Sequence, residues 1–171
     1  MDRIHSKVFS VDGSDSGIDG CRIGLNGLPS VSSDDKESAM CRLLVEEGCR
    51  LKLTQNGDIL IKRDDNINIF ISKLKQLQSS LSDVVVKCPY GLLQQDKTYK
   101  LFDMNKFQNN LSQELLSEDT DWNKLEEKAV SVFSFARFTE NILDAPVWVI
   151  VVNIVALHVV KTLKESLSLN H

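Results

Sequence analysis

The chain has 171 residues, 42% of them hydrophobic and 26% charged. That length fits one domain, and the composition buries a core and excludes a disordered chain. Its 20 basic and 24 acidic residues leave a formal net charge of −4, too weak a positive field to steer it onto phosphate backbones, so no direct nucleic-acid contact is expected.

Cys21, Cys41, Cys49 and Cys88 show no Cys-x-x-Cys spacing. They read as reduced, buried thiols, which implies a cytoplasmic location, or a nuclear one. The N-terminus lacks the apolar run of a signal peptide, and the longest apolar stretch, 147–160, is interrupted by Asn153 and His158. It is shorter than the ~20 residues a helical span needs, so no membrane span is expected.

In chain order, the first residues up to about 20 are polar and rich in Gly and Asp, and read as a flexible segment of turns. A domain over 21–168 follows. Residues 21–25 make a short strand. Asp34 with Glu37 three residues later is a capping-box start for a helix over 35–47, with Met40, Leu43 and Leu44 at helical spacing and Gly48 as its stop. From Cys49 the period changes to two: Cys49, Leu51 and Leu53 alternate with polar residues, and Asn56-Gly57 predicts a type I′ hairpin turn. Ile59 and Ile61 return, and Ile67, Ile69 and Ile71 extend the pattern to an antiparallel meander.

Residues 84–87 and 98–102 read as two more strands. Asp103 caps a helix bearing Met104, Phe107, Leu111 and Leu115; a second helix starts near Asp121 with Trp122, Leu125 and Ala129. Strands return at 131–137 and 146–154. The latter is apolar on both faces and therefore expected in the centre of a sandwich. An amphipathic helix with Leu157, Val160, Leu163 and Leu167 closes the chain.

No catalytic constellation emerges. Gly20, Gly24 and Gly27 precede no Lys-Ser/Thr, and a calcium loop beginning at Asp12 would place Ile23 where a bidentate carboxylate belongs. Asp15-Ser16-Gly17 would have to recruit its base from His5, His158 or His171, and no Cys/His spacing suits zinc. No catalytic residue, metal or cofactor is expected, and the chain reads as a binding module. Ser32 and Ser33, followed by Asp34 and Asp35, form an acidic kinase-type context, although a serine at a helix start more often caps it.

Several segments resemble the second MAD-homology domain, the C-terminal domain of the Smad proteins. His5 to Gly13 resembles the family segment ending in Val-Asp-Gly, and Cys21-Arg-Ile-Gly-Leu25 its Cys-Leu-Gly-Leu strand. Tyr99-Lys-Leu-Phe-Asp, Ser134-Phe-Ala-Arg137 and Pro146-Val-Trp-Val-Ile150 are similar to Leu-Lys-Ile-Phe, Ser-Phe-Val-Lys and Cys-Trp-Ile-Glu-Ile elements. The resemblance covers about residues 5–168. It implies a mainly β fold with helices, a Smad/FHA-type β-sandwich with helices at both ends.

The departures bear on function. Receptor-regulated Smads end in Ser-Ser-x-Ser; this sequence ends Ser166-Leu-Ser-Leu-Asn-His171. The family's Lys-Gly-Trp-Gly loop is replaced by Arg137, Phe138, Thr139, Glu140 and Asn141, running on to Asp144, where one cation and two carboxylates disfavour phosphoserine capture. The DNA-binding domain and aromatic first strand of the Smads are not represented. The resemblance thus implies a divergent, non-Smad member like the insect Expansion proteins: an adaptor contacting an unidentified protein partner through residues 137–141. Assembly as a homo-oligomer, a trimer, is carried by the resemblance alone. The alternative is a Smad-like transducer regulating transcription downstream of TGF-beta/BMP-type receptors.

Overall fold

The computed structural model describes residues 7–29, 35–73, 80–117 and 120–168. Strands β1 (Val8–Asp12), β2 (Ile18–Asp19), β3 (Arg22–Gly24), β4 (Cys49–Leu53), β5 (Ile59–Arg63) and β7 (Thr98–Phe102) form a six-stranded sheet ordered β2-β3-β1-β4-β5-β7. Strands β6 (Ile69–Ile71), β8 (Val130–Phe135) and β9 (Val147–Val152) form a three-stranded sheet ordered β6-β8-β9. The two sheets enclose a core in which Val11, Ile61, Ile69, Ile71, Phe133 and Phe135 are buried, as the period-two alternation demands of a sandwich. Helices α1 (Lys36–Leu44), α2 (Asp83–Lys87), α3 (Met104–Glu114), α4 (Trp122–Glu127) and α5 (Ile154–Ser168) flank it. The architecture is the expected β-sandwich with helices.

Caps start the helices where acids or serines accept backbone N–H groups. Asp35 accepts from Ser38, Asp103 from Lys106 and Asp121 from Lys124. Asp34, read as the first cap, lies outside the described residues; Asp35 performs that role one position later. On α3 the anticipated face holds, with Met104, Phe107 and Leu111 buried.

Five local expectations are corrected. Val8–Asp12, inside the segment read as turns, is a strand between β3 and β4 with Val11 fully buried. Residues 84–87 are helical because Ser82 caps the turn and accepts from Val85, which outweighs the strand preference of three valines. The 56–57 turn is not type I′, which needs two left-handed residues. Only Gly57 has positive φ, at 85°, and the Leu53↔Ile59 register leaves 54–58 in the loop.

The meander also breaks. β6 leaves β5's sheet and pairs with β8. Buried Arg63 organises the crossover: its guanidinium donates to the carbonyls of Asp65 (2.9 Å), Leu93 (2.7 Å) and Asn66 (3.3 Å) and to Asn68 Oδ1 (3.2 Å). Finally, β9 is an edge strand rather than a central one, with Trp148, Ile150 and Val152 exposed on one face.

All four cysteines are free. Cys41 and Cys49 are buried; burial, reinforced by the Glu37 carboxylate, pushes the Cys41 thiol up to about 11, and burial pushes Cys49 up as well. A thiol reagent such as Ellman's is therefore expected to modify half-buried Cys21 and Cys88 in the native protein, and Cys41 and Cys49 only after unfolding. Fast labelling of all four under native conditions would contradict this placement.

Arg50 donates from Nε and Nη2 to the two Asp64 oxygens at 2.6 Å, and Lys62 approaches at 3.3 Å. The Arg50 hydrogen bonds hold Asp64 below the usual carboxylate range. A lowered native value means that this contribution to stability is complete above the usual carboxylate range and is lost as pH falls through the native value. Asp64→Asn is expected to flatten the acid limb of stability, read by urea denaturation from neutral pH to about pH 2. An unchanged acid limb would show that the pair contributes nothing.

Candidate protein-interaction surface

The β8–β9 connection begins where Ala136 turns left-handed, at φ 74°. Its amide donates to the Asn68 carbonyl at 2.9 Å, which fixes the loop's root to the β5–β6 crossover. Arg137 then reaches in two directions. Nη1 pairs with Glu37 of α1 at 2.8 Å, and Nη2 donates to the Asp144 carbonyl at 2.9 Å, closing the loop on itself. Both partners of the ion pair are about half exposed, so the pair orients the loop against α1 more than it stabilises the fold.

Phe138 is half exposed and held by aromatic neighbours: its ring centroid lies 5.2 Å from Tyr90 and 6.3 Å from Phe70. Tyr90 itself is exposed and left-handed, at φ 54°. The Thr139 hydroxyl is inaccessible and has no hydrogen-bond partner. Behind the loop lies a cavity of about 230 Å³ lined by Phe70, Lys73, Ser134, Phe138, Thr139 and Glu140, among others. Asn141 Oδ1 accepts from the Leu143 amide at 3.2 Å and starts a short 3-10 turn that displays Leu143 to solvent.

The structure thus gathers Arg137, Phe138, Thr139, Glu140 and Asn141 in one loop, with different roles. Arg137 is internally engaged, Phe138 presents an aromatic edge, Thr139 faces inward, and Glu140 and Asn141 face solvent. Ser32 and Ser33 lie outside the described residues.

Sequence reasoning missed two components. Tyr90 and Phe70, which build the aromatic cluster, come from distant segments; the signal was Phe70, an aromatic on the outward phase between buried Ile69 and Ile71. The second is α1. Its apolar stripe is present but points outward: Met40, Leu43 and Leu44 are 64%, 71% and 62% exposed, while Ser38 and Cys41 face the core. Arg42 holds the helix in that orientation through the Leu28 carbonyl at 3.2 Å. The Glu37–Arg137 pair places this stripe beside the loop.

Ser16 Oγ meets Ser14 Oγ at 2.8 Å, and among the described residues no group of His, Cys, Asp and Glu could hold a metal ion. His158 is exposed on α5, and His5 and His171 lie outside the described residues. Among the described residues no helix is long and apolar enough to cross a membrane.

No curated protein sequence matches the chain. A solved structure with which it shares its fold is the IAD domain of interferon regulatory factor 9, at a TM-score of 0.61 and 14% identity, covering 97% of this chain and 81% of that one. The profile of the MH2 domain matches residues 1–154. With nine-tenths of its length accounted for in this way and the sandwich in place, the chain belongs to the MH2 domain family.

Proposed function

We propose that the chain is a non-enzymatic adaptor domain, a divergent MH2 member outside the Smads of the Expansion type, acting in the cytoplasm. It meets a protein partner through residues 137–141 and the outer face of α1. The observation that carries this reading is the outward stripe of Met40, Leu43 and Leu44 tethered beside a loop that displays Phe138 and Leu143. Exposed apolar clusters of this kind are a mark of interaction sites. The MH2 family assignment is consistent with a protein-interaction role. Affinity purification with mass spectrometry is expected to return a reproducible partner; an empty result across tissues that express the protein would count against the reading.

The Smad-like transducer reading rests on the same fold. It needs a basic pocket for phosphoserine, whereas Arg137 is engaged by Glu37 and the Asp144 backbone, and Glu140 stands nearby in the loop. A doubly phosphorylated Ser-Ser-x-Ser peptide is therefore expected not to bind, and the tagged protein to stay cytoplasmic on receptor stimulation. Binding of that peptide with nuclear accumulation would favour the transducer. Light scattering distinguishes a monomer, whose α1 stripe is free for another protein, from the trimer that Smads form.

A further inference from the structure

Between Val8 and Cys21 the chain holds three aspartates and no lysine or arginine. Ser16 sits within that stretch, exposed in the turn that leads into β2, with Asp15 before it and Asp19 three residues after it. A cleft lined by basic side chains reads a carboxylate at such a spacing through charge-assisted hydrogen bonds. Two other described serines or threonines have a carboxylate three residues on, and neither is presented in this way. Ser80, before Asp83, is fully buried and donates to the Lys128 carbonyl; Thr162, before Glu165, lies inside α5 between Lys161 and Lys164.

The far side of the turn is lightly held. β2 has two residues, stands at the end of its sheet and pairs with β3 alone, and an element with so few contacts opens locally at small cost. The near side is anchored to α1. The Gly13 amide donates to the Glu46 carbonyl at 3.1 Å, and the Val45 carbonyl leaves no room for a Cβ at Gly13, so the turn abuts the C-terminal end of that helix. The Ser14 carbonyl accepts the Asn26 and Gly27 amides at 3.2 and 3.3 Å, and the flanking Leu25 and Leu28 carbonyls accept from Arg42 of α1. Residues 13 and 14 are thus part of the seat of α1.

We propose that Ser16 is a phosphorylation site for an acid-directed serine/threonine kinase, and that its phosphate loosens the seat of α1. The γ-phosphoryl group of ATP passes to Oγ: the Oγ–P bond forms as the bond to the ADP oxygen breaks, and the hydroxyl proton goes to the kinase's base. In the native turn Ser16 Oγ lies 2.8 Å from Ser14 Oγ, and a Cβ at Gly24 of β3 would stand 2.6 Å from it. A phosphate of about −2 charge added there shares its turn with Asp15 and with Asp12, whose Oδ1 accepts the Ser14 amide at 3.0 Å. Arg22, opposite Asp19 in the β2–β3 ladder, is already paired with Asp12 at 3.3 Å. Repulsion therefore opposes closure of the turn, and the bonds from residues 13 and 14 to Glu46, Asn26 and Gly27 weaken with it. Only the further consequence, weaker partner binding at α1, rests on the adaptor reading, and amide exchange reads the loosening without a partner.

The whole chain is incubated with casein kinase II and ATP, phosphate is mapped by tandem mass spectrometry, and amide exchange is compared before and after. Phosphate is expected on Ser16, at a rate that falls about tenfold in Asp19→Asn. The Gly13, Asn26 and Gly27 amides of the phosphorylated chain are expected to exchange about fivefold faster or more. Ser16→Ala, at an exposed position, is expected to keep its denaturation midpoint and to lose the gain in exchange. Four results would overturn the proposal: no phosphate on Ser16, whatever happens at Ser32 and Ser33; equal rates at Ser16 in the wild type and Asp19→Asn; unchanged exchange at residues 13, 26 and 27 in the Ser16-phosphorylated chain; or an equal gain in exchange in kinase-treated Ser16→Ala, which would place the effect at another residue.

Discussion

Arg63→Met is expected to lower stability by about 3–5 kcal/mol. Arg63 is 8% exposed, and its four hydrogen bonds all end on neutral oxygens: the carbonyls of Asp65, Asn66 and Leu93 and Oδ1 of Asn68. Methionine fills the volume but leaves the Asp65 and Leu93 carbonyls, whose hydrogen bonds to Arg63 are buried, without this donor, and each such loss costs about 1–3 kcal/mol.

The consequence extends to the β8–β9 loop. Asn68 is held by Arg63 through its side chain and accepts the Ala136 amide through its carbonyl, so loosening the crossover loosens the root of residues 137–145. Urea denaturation gives the stability loss, and amide exchange at Ala136 gives the coupling. A loss under about 1 kcal/mol would mean that water replaces the guanidinium.

Asn153→Leu is expected to cost about 2–4 kcal/mol. The residue is 2% exposed at the junction of β9 and α5 and serves both. Its Oδ1 accepts from the Val155 and Ala156 amides, each at 3.1 Å, capping the helix, and its Nδ2 donates to the Gly57 carbonyl at 2.7 Å, pinning the β4–β5 hairpin tip. Asn153→Asp separates the two roles, because a carboxylate keeps the cap and loses the donor to Gly57. It is expected to fall between wild type and Asn153→Leu in denaturation midpoint. Equal losses in the two variants would place the whole effect in the hairpin contact.

Much of the sandwich was legible because local signals agreed with the tertiary outcome. Cys49, Leu51 and Leu53 alternate on β4, and Asp103 and Asp121 cap α3 and α4 as their spacing predicts. Elsewhere distant contacts decided the outcome. β1 contributes one fully buried residue, Val11, within a polar segment, and its strand form comes from pairing with β3 and β4. Nothing near Arg63 in the sequence reveals that it will be buried against Leu93, so the chain's departure from the first sheet was invisible. The stripe on α1 was visible, but periodicity gives a face and not its direction; Arg42 and Glu37 set that direction through long-range bonds.

Residues 137–141 lie between β8 and β9, as their place after one apolar strand and before another predicts. Their geometry was not legible. Phe138 is displayed because Tyr90 and Phe70 arrive from separate elements, and the charge balance that argued against phosphoserine is strengthened by Glu37, which lies on α1.

The most direct test of the adaptor reading is quantitative affinity purification of the wild type beside a Leu43→Asp/Phe138→Ser double variant, with circular dichroism and denaturation midpoints confirming that both are folded. Both substituted positions are solvent-exposed, so the fold is expected to persist. The account predicts a reproducible partner recovered by the wild type and depleted about tenfold or more in the variant, as expected for interface residues worth more than 1 kcal/mol each. Full recovery of the same partner by the folded variant would contradict it.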